Sequence, residues 1–264
     1  MKFLLIGHGS IGSRYKECLL ELGTKKEDIY IIETNKKIIS DLCSKDFNCY
    51  ESINEIEGLE NQLKLGIVAN WGPDHLTTAN KLIDMGCKRM IIEKPISNSI
   101  KELQTFKKRV QDNKVFVTIH YHWQYTNIFQ LIKSTANENR LGEAIGIRIF
   151  GGAVGLSTNG THFLDFACKV LDSNPKTVVS DLDIDHINPR DKSLAYIAGS
   201  ASYRMENNSF IHVSFSNKNS QSIKAEIIYR NGVIEMGTYG NLNCFKRDEK
   251  EIEEYGDKIP RYGE

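Results

Sequence analysis

Lys2-Phe3-Leu4-Leu5-Ile6-Gly7-His8-Gly9-Ser10-Ile11-Gly12 follows directly on Met1, and its texture changes abruptly at Gly7. Lys2 to Ile6 is a short apolar run, the signature of a strand buried on both faces of a parallel sheet. From Ile11 the apolar residues fall at Tyr15, Cys18, Leu19 and Leu22, one helical face closed by Gly23. A second apolar run, Ile29 to Ile32, ends in Glu33, 21 residues beyond Gly12. A lone G-x-G-x-x-G is weak evidence. Set between a strand and a helix, with an acidic residue at this distance, it meets the requirements of a dinucleotide site.

Each residue has a physical reason. Gly7 permits the sharp turn off the strand, Gly9 keeps side chains away from a pyrophosphate, and Gly12 lets the helix pack against the strand. Ser10 and Ile11 open the helix, so the N–H groups of its first turn face the phosphates with the helix dipole behind them. Glu33 accepts hydrogen bonds from ribose hydroxyls and repels a 2′-phosphate, which favours NAD(H) over NADP(H). Lys36 and Lys37 cut against that preference, or form a solvated helix face.

The alternation continues. Leu65 to Ala69 reads as a strand, followed by Asn70-Trp71-Gly72-Pro73-Asp74-His75 and a helix carrying Leu76, Ala79, Leu82 and Ile83 inward. Arg89 to Glu93 is the next strand, leading into Lys94-Pro95. Ser99 and Glu102 form a capping box for a helix, and Val115 to Ile119 is a further strand. Repeated β–α units predict a Rossmann-type doubly wound parallel sheet over residues 1–120, with ligands beyond the carboxyl ends of its strands. The glycine loop, Asn70 to His75 and Glu93-Lys94-Pro95 all lie at such ends, so they are expected to converge. Asn70, Trp71, His75 and Glu93 are therefore candidate cofactor-side residues; for His75, a place in the first helical turn is the competing reading.

After residue 120 the pattern changes. Leu131 starts a mixed polar segment, and Ala144 to Phe150 reads as a strand. Gly160 to Ala167 begins a helix running to Leu171. Ser202 to Met205, Phe210 to Phe215, Ala225 to Tyr229 and Val233 to Met236 alternate with period two, and Asn231-Gly232 is a hairpin signal. Residues 121–264 thus read as an α+β domain with a mostly antiparallel sheet, for substrate binding and oligomerisation. Arg247 to Glu254 is a charge-rich, exposed tail.

Composition narrows the function. Lys plus Arg and Asp plus Glu are 34 each in 264 residues, so nothing marks a nucleic-acid or anionic-membrane binder. At 40% hydrophobic and 26% charged, the chain is an ordinary globular protein. No apolar run approaches the ~20 residues of a membrane span, and the N-terminal run stops at Gly7, too early for a signal peptide. The six cysteines show no C-x-x-C and no zinc spacing. They read as free thiols of a cytoplasmic protein, and no metal site is expected.

At Gly7–Gly12, Glu33, Glu93-Lys94-Pro95 and Gly160-x-His162-x-x-Asp165, the sequence resembles the glucose–fructose oxidoreductase / inositol dehydrogenase (Gfo/Idh/MocA) family. E-K-P after a strand, with G-x-H-x-x-D in the second domain, is more specific than the glycine loop. The resemblance implies a nicotinamide-dependent oxidoreductase acting on a secondary alcohol or ketone of a sugar, sugar nucleotide, polyol or related small molecule. It makes Lys94 the active-site lysine and His162 the acid/base. Lys94 would stabilise developing alkoxide, and His162 would exchange the hydroxyl proton, since the pKa of an unperturbed imidazole, about 6.5, suits both directions. The family often has Asp or Asn four residues before that histidine; here Thr158 stands there, followed by Asn159. The chain also ends earlier than most relatives, so its second domain reads as short at the C-terminus.

Tyr121, His122, Thr158 and Asn159 are candidate substrate-side residues. Tyr121, His122 and Trp123 read either as substrate wall or as packing at the domain junction. Asp165, three residues after His162, either orients the imidazole or sits near a helix N-terminus. A dinucleotide-binding regulator without turnover, or an inactive family member, are the competing functions. Alternation along Phe210 to Phe215 puts Ile211, Val213 and Phe215 on one face and Phe210, His212 and Ser214 on the other, so neither face of the second sheet is fully polar, which predicts a homodimer or homotetramer.

Overall fold

The computed structural model describes residues 2–152, 155–187, 195–216, 218, 220–237, 240–246 and 253–255. The chain divides into two compact units, Met1–His120 and Tyr121–Glu264.

The first unit holds a six-stranded sheet: β1 (Lys2–Ile6), β2 (Ile29–Ile32), β3 (Asn48–Tyr50), β4 (Leu63–Val68), β5 (Arg89–Glu93) and β6 (Phe116–His120). Their order is β3-β2-β1-β4-β5-β6, and every neighbouring pair is parallel. Helices α1 (Ser10–Glu21), α2 (Lys36–Cys43), α3 (His75–Asp84) and α4 (Ile100–Asp112) cover it. Successive residues of β1 enter opposite cores, as a doubly covered sheet requires. Phe3 and Leu5 pack with Leu19 and Leu42 on one side; Leu4 and Ile6 pack with Leu76 and Leu82 on the other. The strand order reverses between β1 and β4, which makes their carboxyl ends the ligand crevice of this topology. At α4 the capping box is half formed. Ser99 Oγ accepts from the Glu102 N–H (3.3 Å), but the Ser99 N–H donates to Ser97 Oγ (3.0 Å) rather than to Glu102.

The second unit is built on an eight-stranded sheet. Its strands are β7 (Ala144–Gly151), β8 (Pro175–Ile187), β9 (Ala195–Met205), β10 (Phe210–Phe215), β11 (Lys224–Tyr229), β12 (Gly232–Met236), β13 (Leu242–Lys246) and β14 (Glu253–Tyr255). The order is β14-β13-β12-β11-β7-β10-β9-β8, antiparallel except where β7 pairs with β10. Helices α5 (Ile128–Glu138) and α6 (Leu156–Leu171) pack on it. Ile211, Val213 and Phe215 are buried beneath them with Ile147, Ile149 and Phe166.

Several elements differ from the sequence reading. The mixed polar segment from Leu131 falls within α5, whose Ile128, Ile132, Thr135 and Ala136 make one buried stripe between charged and amide residues. Helix α6 starts at Leu156, a turn before the expected Gly160. Strand β8 was not expected, although Leu182 and Ile184 alternate with Asp181, Asp183 and Asp185; its apolar residues are exposed rather than buried, Val179 at 77%. Residues 247–252 of the expected charged tail lie outside the described residues. Among the described residues no helix is long and apolar enough to cross a membrane.

The glycine loop supplies a test of packing. A Cβ on residue 12 would stand 2.0 Å from the Gly7 carbonyl oxygen, whereas one on residue 9 would meet nothing within 4 Å. Gly12→Ala is expected to cost about 1–3 kcal/mol in urea unfolding, and Gly9→Ala no more than about 0.5 kcal/mol.

Candidate functional site

Three strand ends of the first unit meet at the crevice. Gly7 leaves β1 at φ +90°, and its N–H donates to the Ile32 carbonyl (2.8 Å) at the end of β2. A Cβ there would lie 2.6 Å from the Ala69 carbonyl oxygen, so the residue after β1 and the loop after β4 touch backbone to backbone. Gly9 caps α1, and no side chain caps that helix end. The first-turn N–H groups, beginning at Ser10 and Ile11, keep the open character that suits an anion.

Glu33 closes the other side. Its Oε2 accepts from the His8 N–H (2.8 Å), and its Oε1 accepts from the N–H groups of Thr34 (2.8 Å) and Asn35 (2.9 Å). The carboxylate thus fastens the glycine loop to the end of β2 and remains half-buried. A cleft of about 450 Å³ opens here, its walls including Gly7, Gly9, Glu33, Ser52, Asn70 and Trp71. Asn70 Nδ2 donates to Thr78 Oγ1 (3.0 Å), while its buried Oδ1 has no hydrogen-bond partner among the described residues. An unfilled space at Gly9, an uncapped helix start and a carboxylate at one cleft, with a buried Asn70 acceptor left over in its wall, fit a dinucleotide.

His75 and Glu93 depart from their expected cofactor-side roles. The His75 ring is 1% exposed; Nδ1 lies 2.9 Å from the Pro95 carbonyl and Nε2 lies 3.1 Å from the Asn70 carbonyl. It pins the loop after β4 to the loop after β5, from the first turn of α3. The Glu93 side chain is likewise engaged inside the unit. Its Oε1 accepts from the Tyr15 hydroxyl (2.7 Å) and lies 2.7 Å from His120 Nδ1, with the residue only 9% exposed. Burial alone would raise the Glu93 carboxyl. Hydrogen bonds from His120 and Tyr15, the His120 charge and the Lys94 backbone together outweigh it, so the group is held below the usual carboxylate range. Lys94 is the next residue and is half-buried.

The second unit brings a separate set together. Tyr121 precedes a short 3₁₀ turn, His122–Tyr125, and His162 lies on α6. The His162 ring, 9% exposed, meets His122 edge-on at 4.7 Å and Tyr121 at 5.7 Å between centroids. Burial pushes the Tyr121 phenol up, with the Asp165 charge adding to it. Asp165 takes neither expected role. Its Oδ1 accepts from Gln124 Nε2 (2.7 Å), and with α6 starting at Leu156 it is well past the first turn. Burial pushes its carboxyl up, partly offset by Gln124 and Lys169. Trp123 takes the packing reading, 7% exposed against Phe166. Thr158 and Asn159 fall in the first turn of α6; Asn159 is half-buried, and the Thr158 side chain lies outside the described residues.

Tyr15, His120 and Gln124 were not among the sequence candidates. His120 was open to detection, because it is the partner of Glu93 across the parallel β5–β6 register. Tyr15 sits on the stripe that marks the buried face of α1, where a hydroxyl reads as core.

Residues 1–121 match a family model described as an oxidoreductase family with an NAD-binding Rossmann fold. Over 143 residues the chain is 25% identical to a scyllo-inositol 2-dehydrogenase (NADP(+)) of Bacillus subtilis (strain 168). That alignment covers 53% of this chain and 38% of the relative's length. The fold is similar to that of a UDP-N-acetylglucosamine 3-dehydrogenase from Acidithiobacillus ferrooxidans, with TM-score 0.75 and 13% identity over 99% of this chain and 84% of that one. An oxidoreductase from Agrobacterium radiobacter, solved with NAD+, L-tartaric acid and magnesium, gives TM-score 0.76 and 13% identity over 99% and 81%. At these identities the structural likeness is one of fold.

The Glu93 cluster has a measurable signature. A carboxyl held below its unfolded value of 4.5 stabilises the folded state above that pH, and this contribution is lost as pH falls through the folded value. Glu93→Gln should cost about 1–3 kcal/mol at neutral pH and flatten the acid limb of stability between about pH 5 and pH 3. Urea unfolding across that range checks both.

Proposed function

We propose that this chain, whose residues 1–121 match the model of an oxidoreductase family with an NAD-binding Rossmann fold, is a nicotinamide-dependent oxidoreductase of the Gfo/Idh/MocA family. Its substrates in this reading are secondary alcohols or ketones of sugars, sugar nucleotides or polyols. The observation that carries the reading is the cleft at Gly9, where an uncapped helix start and the fixed Glu33 carboxylate face one space. Hydride exchange at carbon is the chemistry that a nicotinamide supplies when bound. The first-turn N–H groups of α1 hold its phosphates, and Asn70 and Trp71 line its adenosine side.

The protein's own part is proton and charge handling. Lys94 donates a hydrogen bond to the reacting oxygen and favours its alkoxide form, an effect that grows as water is excluded. His162 takes the hydroxyl proton in one direction and returns it in the other. Tyr121 and His122 pack around the His162 ring and restrict its orientation. Glu93, held ionised by Tyr15 and His120, fixes the strand end from which Lys94 projects.

Catalysis separates from binding in this scheme. Monitored by NADH absorbance over a panel of sugars and polyols, Lys94→Ala should lower turnover strongly while leaving dinucleotide affinity nearly intact. His162→Ala should slow turnover roughly 10²–10⁴-fold. Absence of turnover on every panel member, or unchanged rates in both variants, contradicts the proposal.

Cofactor choice follows from Glu33. Three backbone N–H groups fix its carboxylate at the cleft, where a 2′-phosphate would meet like charge in a partly desolvated wall. NAD(H) is therefore proposed over NADP(H), although the Bacillus relative is named for NADP(+). Calorimetric titration should show tighter binding of NADH than of NADPH, with Glu33→Ala narrowing the gap.

Self-association is proposed on the sheet face away from α5 and α6. Phe210, Ile228, Val233 and Phe245 form one apolar row across β10, β7, β11, β12 and β13, interrupted only by Gly146. Two such faces packed about a two-fold axis would cover both rows. Light scattering at micromolar concentration should give twice the chain mass.

A further inference from the structure

Phe129, Ile132, Lys133 and Ala136 recur at the i, i+3, i+4, i+7 spacing that puts them on one face of α5. That face borders a groove of about 460 Å³ within the second unit, walled opposite by Lys169 and Val170 at the end of α6 and by Asp172. Ala144 of β7 and Tyr229 of β11, cross-strand partners, line it from the sheet. Alanine at 136 and 144 leaves room that a larger side chain would fill.

Tyr229 is the residue that the groove sets apart. It is only 7% exposed, yet its hydroxyl makes no hydrogen bond with any described residue. Buried tyrosine hydroxyls usually find a partner. Burial, with the charge of Cys244 adding to it, pushes the phenol up to about 12, so the group keeps its proton and is a donor without an acceptor. Because Tyr229 lines the groove, its O–H is left for whatever occupies that space. The rim supplies charge: Lys133 and Lys169 are exposed and bring two ammonium groups, against the one carboxylate of Asp172.

We propose that this groove binds a small monocarboxylate with an apolar body. The body packs against Phe129, Ile132, Ala136 and Val170, Lys133 and Lys169 hold the carboxylate, and Tyr229 donates to an oxygen of the ligand. Apolar walls with a few polar groups are the usual make-up of a small-molecule site, and the volume lies in the usual range. A dianion such as a phosphate monoester is disfavoured, because Asp172 stands at the same rim and would meet the second charge. The groove is separate from the dinucleotide cleft, which lies in the first unit. It is also apart from His162, since Val170 lies further along α6 by eight residues, or about 12 Å at the helical rise. The site therefore stands whether or not the oxidoreductase reading holds.

Octanoate and 3-phenylpropanoate, titrated calorimetrically into the full chain at low salt, test this. Each should bind saturably at one site per chain, with the neutral 1-octanol binding several-fold more weakly. Tyr229→Phe keeps the ring and removes only the hydroxyl; it should weaken octanoate binding about 3–10-fold. Lys133→Gln combined with Lys169→Gln should weaken it to a similar extent and flatten its salt dependence. Absence of saturable binding of either acid would overturn the proposal. So would octanoate binding equally tight in the parent chain and in both variants.

Discussion

The carbonyl oxygen of Gly7 occupies the space that a side chain at residue 12 would need, 2.0 Å from the position of its Cβ. Strand β1 and helix α1 can therefore approach only as a glycine pair. That approach aims the helix start at the carboxyl edge of the sheet and brings Gly7 against the backbone of Ala69 and Asn70. The switch point between β1 and β4 is closed below by backbone contact and open above at Gly9. A site for an anionic, flexible ligand needs this combination of a rigid floor and unshielded N–H groups.

The polar side chains around the floor act mainly on the protein itself. Glu33 gathers three backbone N–H groups, Glu93 receives Tyr15 and His120, and the His75 ring lies between two carbonyls. Each joins segments far apart in sequence, so the loops after β1, β2, β4 and β5 are held by buried or half-buried polar bonds. Such bonds count for more at low dielectric than at the surface. They give the loops a fixed geometry before any ligand arrives, which is what an electrostatic binding site requires. The proposed roles of Lys94 and His162 depend on such supports, Glu93 for the former and the ring packing of Tyr121 and His122 for the latter.

Much of the first unit was legible in the sequence, because β1, β2 and the carboxyl ends of β4 and β5 are buried and read as apolar runs, whereas the half-buried Asn48-Cys49-Tyr50 of β3 gives no such run. The glycines were legible for the same reason that they are required: no other residue fits. Less was legible in the second unit. Strand β8 alternates over Asp181-Leu182-Asp183-Ile184 but leaves its apolar residues exposed, and α5 hides its stripe of Ile128, Ile132 and Ala136 among polar neighbours. At the site, residue type pointed to Glu93 and His75 but not to their partners. A side chain's partner depends on register and rotamer, as the Glu93–His120 pair across β5 and β6 illustrates. Gln124 intervened at Asp165 in the same way, from a turn that sequence spacing could not bring near α6.

The cleft at the β1–β4 switch point is the proposed dinucleotide site. Amide hydrogen exchange with and without saturating NADH tests it most directly, since the backbone itself makes the proposed contacts. Bound NADH should slow exchange at residues 8–13, 33–35 and 70–72, with little change over β8 to β13. Unchanged exchange in those three loops at saturation, or protection confined to the second unit, would contradict it.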